Sequence, residues 1–237
     1  MRHVLRRASR SLALGLLALT CTTGLAAAAP AVPTDRVLPI DQYQSEKARR
    51  LATTHAGALR DLAAGVYHCM PWVDVQKHSI GFFKPKHVEK DDRYLSIRMY
   101  IEQDPSAEFS ALSVEERASS MFSRYVGPML RRMNQNPALL ADSSLDGFTV
   151  IVEWLKQTPG AGARPVHETL AAFVDKATAT AYLKGTIRSR ELAARSQVIG
   201  FDGETGLGQL RLAAYDDGFV STYKVKNYEM PAGVSCQ

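Results

Sequence analysis

Residues 65–78 read GVYHCMPWVDVQKH, which sets His68 beside Cys69 and brings Asp74 and His78 close behind. An imidazole, a thiol and a carboxylate in one stretch suggest a metal site or a thiol nucleophile. Zinc sites draw their ligands from pairs spaced by a few residues, as in C-x-x-C or H-x-x-x-H. His68 and Cys69 are adjacent instead, and neighbours on a strand point to opposite faces. His78 and His87 are too far along to pair with them by local spacing. A nucleophilic thiol needs a base and a reducing setting. The chemistry left to Cys69 is a disulfide. The chain has three cysteines. Cys21 falls in a segment read as a leader, so Cys69 and Cys236 remain, and an exported chain most simply joins them. The bridge would close a loop of more than 160 residues, which chain entropy values at about 5 kcal/mol at most. It would also hold the terminal MPAGVSCQ against fraying.

Two further sets of residues could do chemistry. Asp202 and Glu204 lie in FDGETG (201–206), and Asp216 and Asp217 lie in YDDG (215–218). Oxygen ligands from such loops suit calcium, but the order of an EF-hand is missing, and Asp-Gly pairs are first of all turn formers. A hydrolase using these carboxylates would need two of them about 5–10 Å apart in a cleft. The second set is basic. Lys84, Lys86, Lys90 and Arg93 gather around one turn, with Phe82, Phe83, Tyr94 and Tyr100 interleaved. They form a candidate surface for an anionic envelope component.

No cofactor is expected. The chain lacks the phosphate-binding G-x-x-x-x-G-K-[ST], and GFDGETGLG (200–208) is not a G-x-G-x-x-G that opens a helix after a strand. G-x-S-x-G and H-E-x-x-H are absent too. HETLA (167–171) begins like the zinc motif, but Ala171 stands where its second histidine belongs.

The first residues bear on every partner. Arg2, Arg6, Arg7 and Arg10 precede the short apolar run LALGLLAL (12–19), and AAAAP (26–30) supplies small residues. This order predicts a secretory signal peptide over 1–28 and one exported domain over 29–237. Lipid anchoring through Cys21 is the lesser alternative, since Leu19 and Thr20 fit it poorly. LRRAS (5–9) has twin arginines without the residues that usually follow. Without the four leader arginines, 25 cationic residues face 24 carboxylates, a net charge of +1. A nucleic-acid binder keeps a strong basic excess on its folded domain, so none is expected. No segment of the mature chain is apolar and long enough to span a bilayer. The expected location is the periplasm or the medium.

The elements that must position these residues follow from periodicity. Apolar residues at three- and four-residue spacing predict a helix over 41–68, with Asp41 as cap and His55 on its buried stripe. Strands are predicted over 73–87 and 92–103, with VEKDD as the turn. A helix over 111–137 opens on the capping box Ser113–Glu116 and should kink near Gly127, before Pro128. GFTVIVEWLKQ (147–157) reads as a central strand, paired with 168–176 across the loop 157–165. Residues 177–185 could be helix or strand, 189–196 a short helix, and 207–215 with 219–228 a closing hairpin turning at Asp217-Gly218. The sum is an α+β domain: a mainly antiparallel sheet built from hairpins, with two longer helices packed on it. Export and the lack of a complete catalytic motif favour a non-catalytic protein that binds a ligand or partner. The alternative is a hydrolase using acidic residues in 202–217.

Overall fold

The computed structural model describes residues 32–86, 88–160, 162–213 and 236. The expected leader, His87, Asp216, Asp217 and the expected strand 219–228 lie outside the described residues. The chain divides into Met1–Ala31 and Val32–Gln237, and the fold is that of the second part.

The predicted helix 41–68 is two helices. Ile40–Gln42 forms only one tight turn, and α1 (Glu46–Thr54) begins where the Ser45 hydroxyl accepts the Ala48 N–H. His55 leaves helical geometry at φ −107°, and α2 (Ala56–Cys69) follows. The interruption suits His55, whose buried ring meets the Asp142 carboxylate at 2.9 Å. The last turn of α2 carries His68, which is exposed, and Cys69, which is joined to Cys236 with Cα atoms 5.4 Å apart. These two neighbours therefore sit on a helix and not on a strand.

The next segments supply a sheet edge. β1 (Val73–Val75) and β2 (Gly81–Phe83) pair in turn with the two halves of β3 (Tyr94–Ile101), both antiparallel. Residues 76–80 interrupt what the sequence suggests is one strand. The Ser79 hydroxyl fills the gap in the ladder, accepting the Arg98 N–H and donating to the Arg98 carbonyl.

Between β3 and β4 (Gly147–Leu155) run α3 (Ala107–Ser110), α4 (Val114–Met121), α5 (Gly127–Met133) and α6 (Pro137–Ala141). The Ser113–Glu116 capping box opens α4 as expected. The expected kink before Pro128 is a wide π turn over Phe122–Val126. Proline has no N–H to give the carbonyl four residues back, and a wider turn ahead of it absorbs that loss. This helical crossover makes β3 and β4 parallel, within an α+β sheet that is otherwise antiparallel, as expected. Strands joined by a long crossover can run the same way, whereas a tight turn forces reversal.

The rest of the sheet is antiparallel. β5 (His167–Asp175) pairs with β4 along its whole length. α7 (Lys176–Leu183) resolves the ambiguous stretch as helix, capped by Asp175 and followed by Gly185 at φ +73°. α8 (Ser189–Arg195) precedes β6 (Gln197–Asp202) and β7 (Thr205–Gln209), a hairpin not expected from the sequence. The path through the sheet is β1-β3-β4-β5-β6-β7, with β2 beside β3. Leu95, Ile97, Phe148, Val150, Val152, Leu170, Val174 and Val198 form one face and are buried against the helices. No described helix is long and apolar enough to cross a membrane.

Candidate ligand-binding site

The alternate residues of the same strands build the other face, and strand register sets them in rows. Ser96, Thr149 and Phe173 lie side by side on β3, β4 and β5. Arg98, Ile151, Ala171 and Ile199 form the next row, and Tyr100, Glu153, Thr169 and Phe201 the one after. The β4 sequence leads one to expect cover on both sides, yet Ile151 stays half-buried and Phe201 is 36 % exposed. A cavity of about 640 Å³ lies on this face, and no helix of the described residues packs over it.

Its floor is apolar or weakly polar toward β4, β5 and β6, where Ile151, Ala171, Phe173, Ile199 and Phe201 meet Thr149 and Thr169. Its wall on the other side is the interrupted edge. Residues 76–80 form a lip there, fixed by the N-terminal segment: His78 and Ile80 donate to the carbonyls of Asp35 and Arg36 at 2.8 and 3.0 Å. His78 has φ +55°, a left-handed conformation that only a few per cent of non-glycine residues adopt. Such backbone persists where its surroundings enforce it, often beside a ligand site. Past β2 the chain adds Lys84, Pro85 and Lys86 to the wall.

The basic set predicted from sequence is thus split. Lys84 and Lys86 line the cavity and are exposed. Lys84 donates to the Glu89 carbonyl at 2.7 Å. Neither lysine has a carboxylate partner among the described residues. Lys90 is exposed and does not line the cavity. Arg93 is largely buried and pairs with Asp91, while its backbone N–H donates to Asp146, which also holds Lys47 at 2.6 Å. The turn sends Arg93 into the anchor of α1.

Of the acidic set, the two described members do not line this cavity. Asp202 pairs with Lys156 at 2.6 Å. Glu204 is exposed in the β6–β7 turn, where Gly203 takes φ +58°. Glu168, from the near-miss zinc motif, points to the helical side. It is buried, with the Arg117 guanidinium on both oxygens at 2.6 and 2.5 Å and the Trp154 indole N–H at 3.1 Å.

A smaller cavity of about 350 Å³ adjoins the first, since Gln76, Lys77 and Arg98 line both. Asp74, Met99, Tyr100 and Glu153 complete it. Glu153 accepts from Arg98 at 2.8 Å, and Asp74 accepts from Arg36 at 2.8 Å. Burial, then the nearby carboxylates of Glu153, Glu102 and Asp104, raise the Tyr100 phenol above its ordinary range. Its hydroxyl therefore stays protonated at neutral pH. Sequence reasoning placed Arg98 and Tyr100 only in the basic hairpin surface over 77–100 and missed Glu153 as a site residue. The alternation of β3 and β4 gave their shared face, but nothing local gave the cavity beside it. Comparison with protein-family models, curated proteins and solved structures finds no match for this chain.

Proposed function

We propose that this protein is an exported, non-catalytic binding protein whose ligand is an amphipathic anion. Its apolar body would lie across the uncovered sheet face, and its acidic group would meet Lys84 and Lys86. The observation that carries this reading is the cavity of about 640 Å³, which combines an apolar floor with two lysines that have no carboxylate partner among the described residues. That volume falls in the range of pockets for small organic ligands, roughly 300–1,000 Å³. From the edge strand to β6 the face spans four strand spacings, about 19 Å at ~4.8 Å each, enough for an extended acyl chain. The three-part leader supports export. The acidic hydrolase finds less support, because Asp202 is engaged by Lys156 and Glu204 is exposed in a turn.

The test is fluorescence titration of residues 29–237 with dansyl-labelled undecanoic acid and its methyl ester. The acid should bind saturably and more tightly than the ester, with an affinity that falls as salt screens the lysines. Lys84→Glu with Lys86→Glu should weaken the acid about tenfold or more. Lys90→Glu should change nothing, since Lys90 does not line the cavity. Equal affinity for acid and ester, or indifference to the Lys84/Lys86 change, would remove this reading.

A further inference from the structure

The two adjoining cavities differ in how their charges are arranged. In the larger one Lys84 and Lys86 face no carboxylate among the described residues. In the smaller one every charge has its opposite: Arg36 with Asp74 at 2.8 Å, Arg98 with Glu153 at 2.8 Å, and Lys77 with Asp35 at 3.4 Å. An incoming ion would have to break one of these pairs. A neutral group with hydroxyls would not. Each hydroxyl both donates and accepts, so it can use the carboxylate lone pairs and guanidinium N–H groups that the pairs leave over. The Gln76 side chain, exposed and without a hydrogen bond among the described residues, offers a donor and an acceptor at the boundary of the two spaces. The Tyr100 phenol adds a donor and its ring an apolar surface.

We infer that the smaller chamber is a subsite for a neutral polyhydroxyl group, a sugar or a glycerol, carried by the same amphiphile whose apolar body fills the larger cavity. This rests on the reading of the larger cavity as the site of an amphipathic anion. The ligand class becomes an acidic glycolipid or glycerolipid. The groups that select it are Asp74, Gln76, Arg98, Tyr100 and Glu153. Charged pairs already held in place read hydroxyl positions without reorganising, which favours specificity.

The experiment compares three neutral probes of equal chain length, each below its micelle concentration: octyl glucoside, octyl glycerol ether and octyl tetraethylene glycol ether. Binding is measured by calorimetry on residues 29–237, beside the dansyl acid. At least one hydroxylated probe should bind about five- to tenfold more tightly than the polyether, as one or two extra hydrogen bonds predict. The tighter of the two then separates a sugar source from a glycerol source. Asp74→Asn and Tyr100→Leu, residues that line only the chamber, should each shrink that preference about fivefold or more while leaving dansyl acid affinity within about twofold. Thermal melts would check that both variants fold. Equal binding of all three probes, or a preference that survives both substitutions, overturns the inference. If the dansyl acid still binds in that case, only the subsite falls; if it does not, the underlying reading falls too.

Discussion

The two faces of this sheet use the same strands for opposite ends. On β4, Phe148, Val150, Val152 and Trp154 are buried under helices, while Thr149, Ile151 and Glu153 border an open space. Each face also holds charge. On the covered face Glu168 receives three hydrogen bonds from Arg117 and Trp154. Arg117 also donates to the carbonyls of Ser110 and Leu112. That matches the cost of burying an ion without partners. On the other face Lys84 and Lys86 are exposed without a carboxylate partner among the described residues, where water can solvate them. Among the described residues, the charge under the helices is fully paired, and the two lysines at the cavity are not paired with carboxylates.

The strongest way to break this contrast is to leave a charge alone on the covered side. Arg117→Met would strand the Glu168 carboxylate beneath the helices, with only the Trp154 indole still donating to it. Removing one partner of a buried pair costs about 3–5 kcal/mol. Urea denaturation should register that loss, whereas Lys84→Glu with Lys86→Glu should shift the midpoint hardly at all, since exposed charges contribute little to folding. A loss under about 1 kcal/mol for Arg117→Met would mean that the pair is not sealed from water as the contrast requires.

A second comparison holds the residue type constant. Ile97 and Ile151 sit on adjacent paired strands but on opposite faces. Ile97 is fully buried and Ile151 half-buried at the cavity floor. Ile97→Ala should cost about 2–5 kcal/mol through lost burial and a residual void. Ile151→Ala should cost about 1 kcal/mol or less, because its surroundings are already open, and should instead weaken the dansyl acid. Equal stability losses would show that the second face is covered after all.

How much of this could be read beforehand depended on whether the signal was local. Ser113 with Glu116 announced α4, because caps act within one helical turn, whereas Asp175 and Gly185 favoured α7 while its threonines left helix or strand open. The alternation of β4 separated its two faces correctly. The break at His55 was hidden because the apolar stripe continues across it, and what it accommodates is Asp142, 87 positions away. β6 was missed because Gly200 interrupts it. A side chain there would begin 2.6 Å from Leu210, so packing demands glycine at the cost of the strand signal. The parallel β3–β4 pair and the uncovered face belong to topology, which no short window contains. The same holds for the basic turn, where Asp146, 53 positions on, fixes the Arg93 backbone, and the Arg93 side chain pairs with Asp91 and does not line the cavity with Lys84 and Lys86.

The smallest expected effect tests whether the rule for the covered side extends to its margin, where the helical layer meets water. His55 is buried, and its partner Asp142 is partly exposed. The bond from His55, followed by the Ser144 backbone N–H, holds the Asp142 carboxyl below its ordinary range. A carboxyl lowered in the folded state binds its proton more readily once unfolded, so it stabilises the fold only while ionised. Its contribution is complete above the unfolded value of about 3.9 and is lost as pH falls through the lower folded value. Asp142→Asn should therefore cost about 1 kcal/mol near neutral pH, the size of a single net hydrogen bond. The gap between the two proteins should stay level down to the unfolded value and then close with further acid. Denaturant titrations across that acid range would read it directly. A gap that persists unchanged at the lowest pH would assign the loss to packing around His55, and not to the ionised carboxylate.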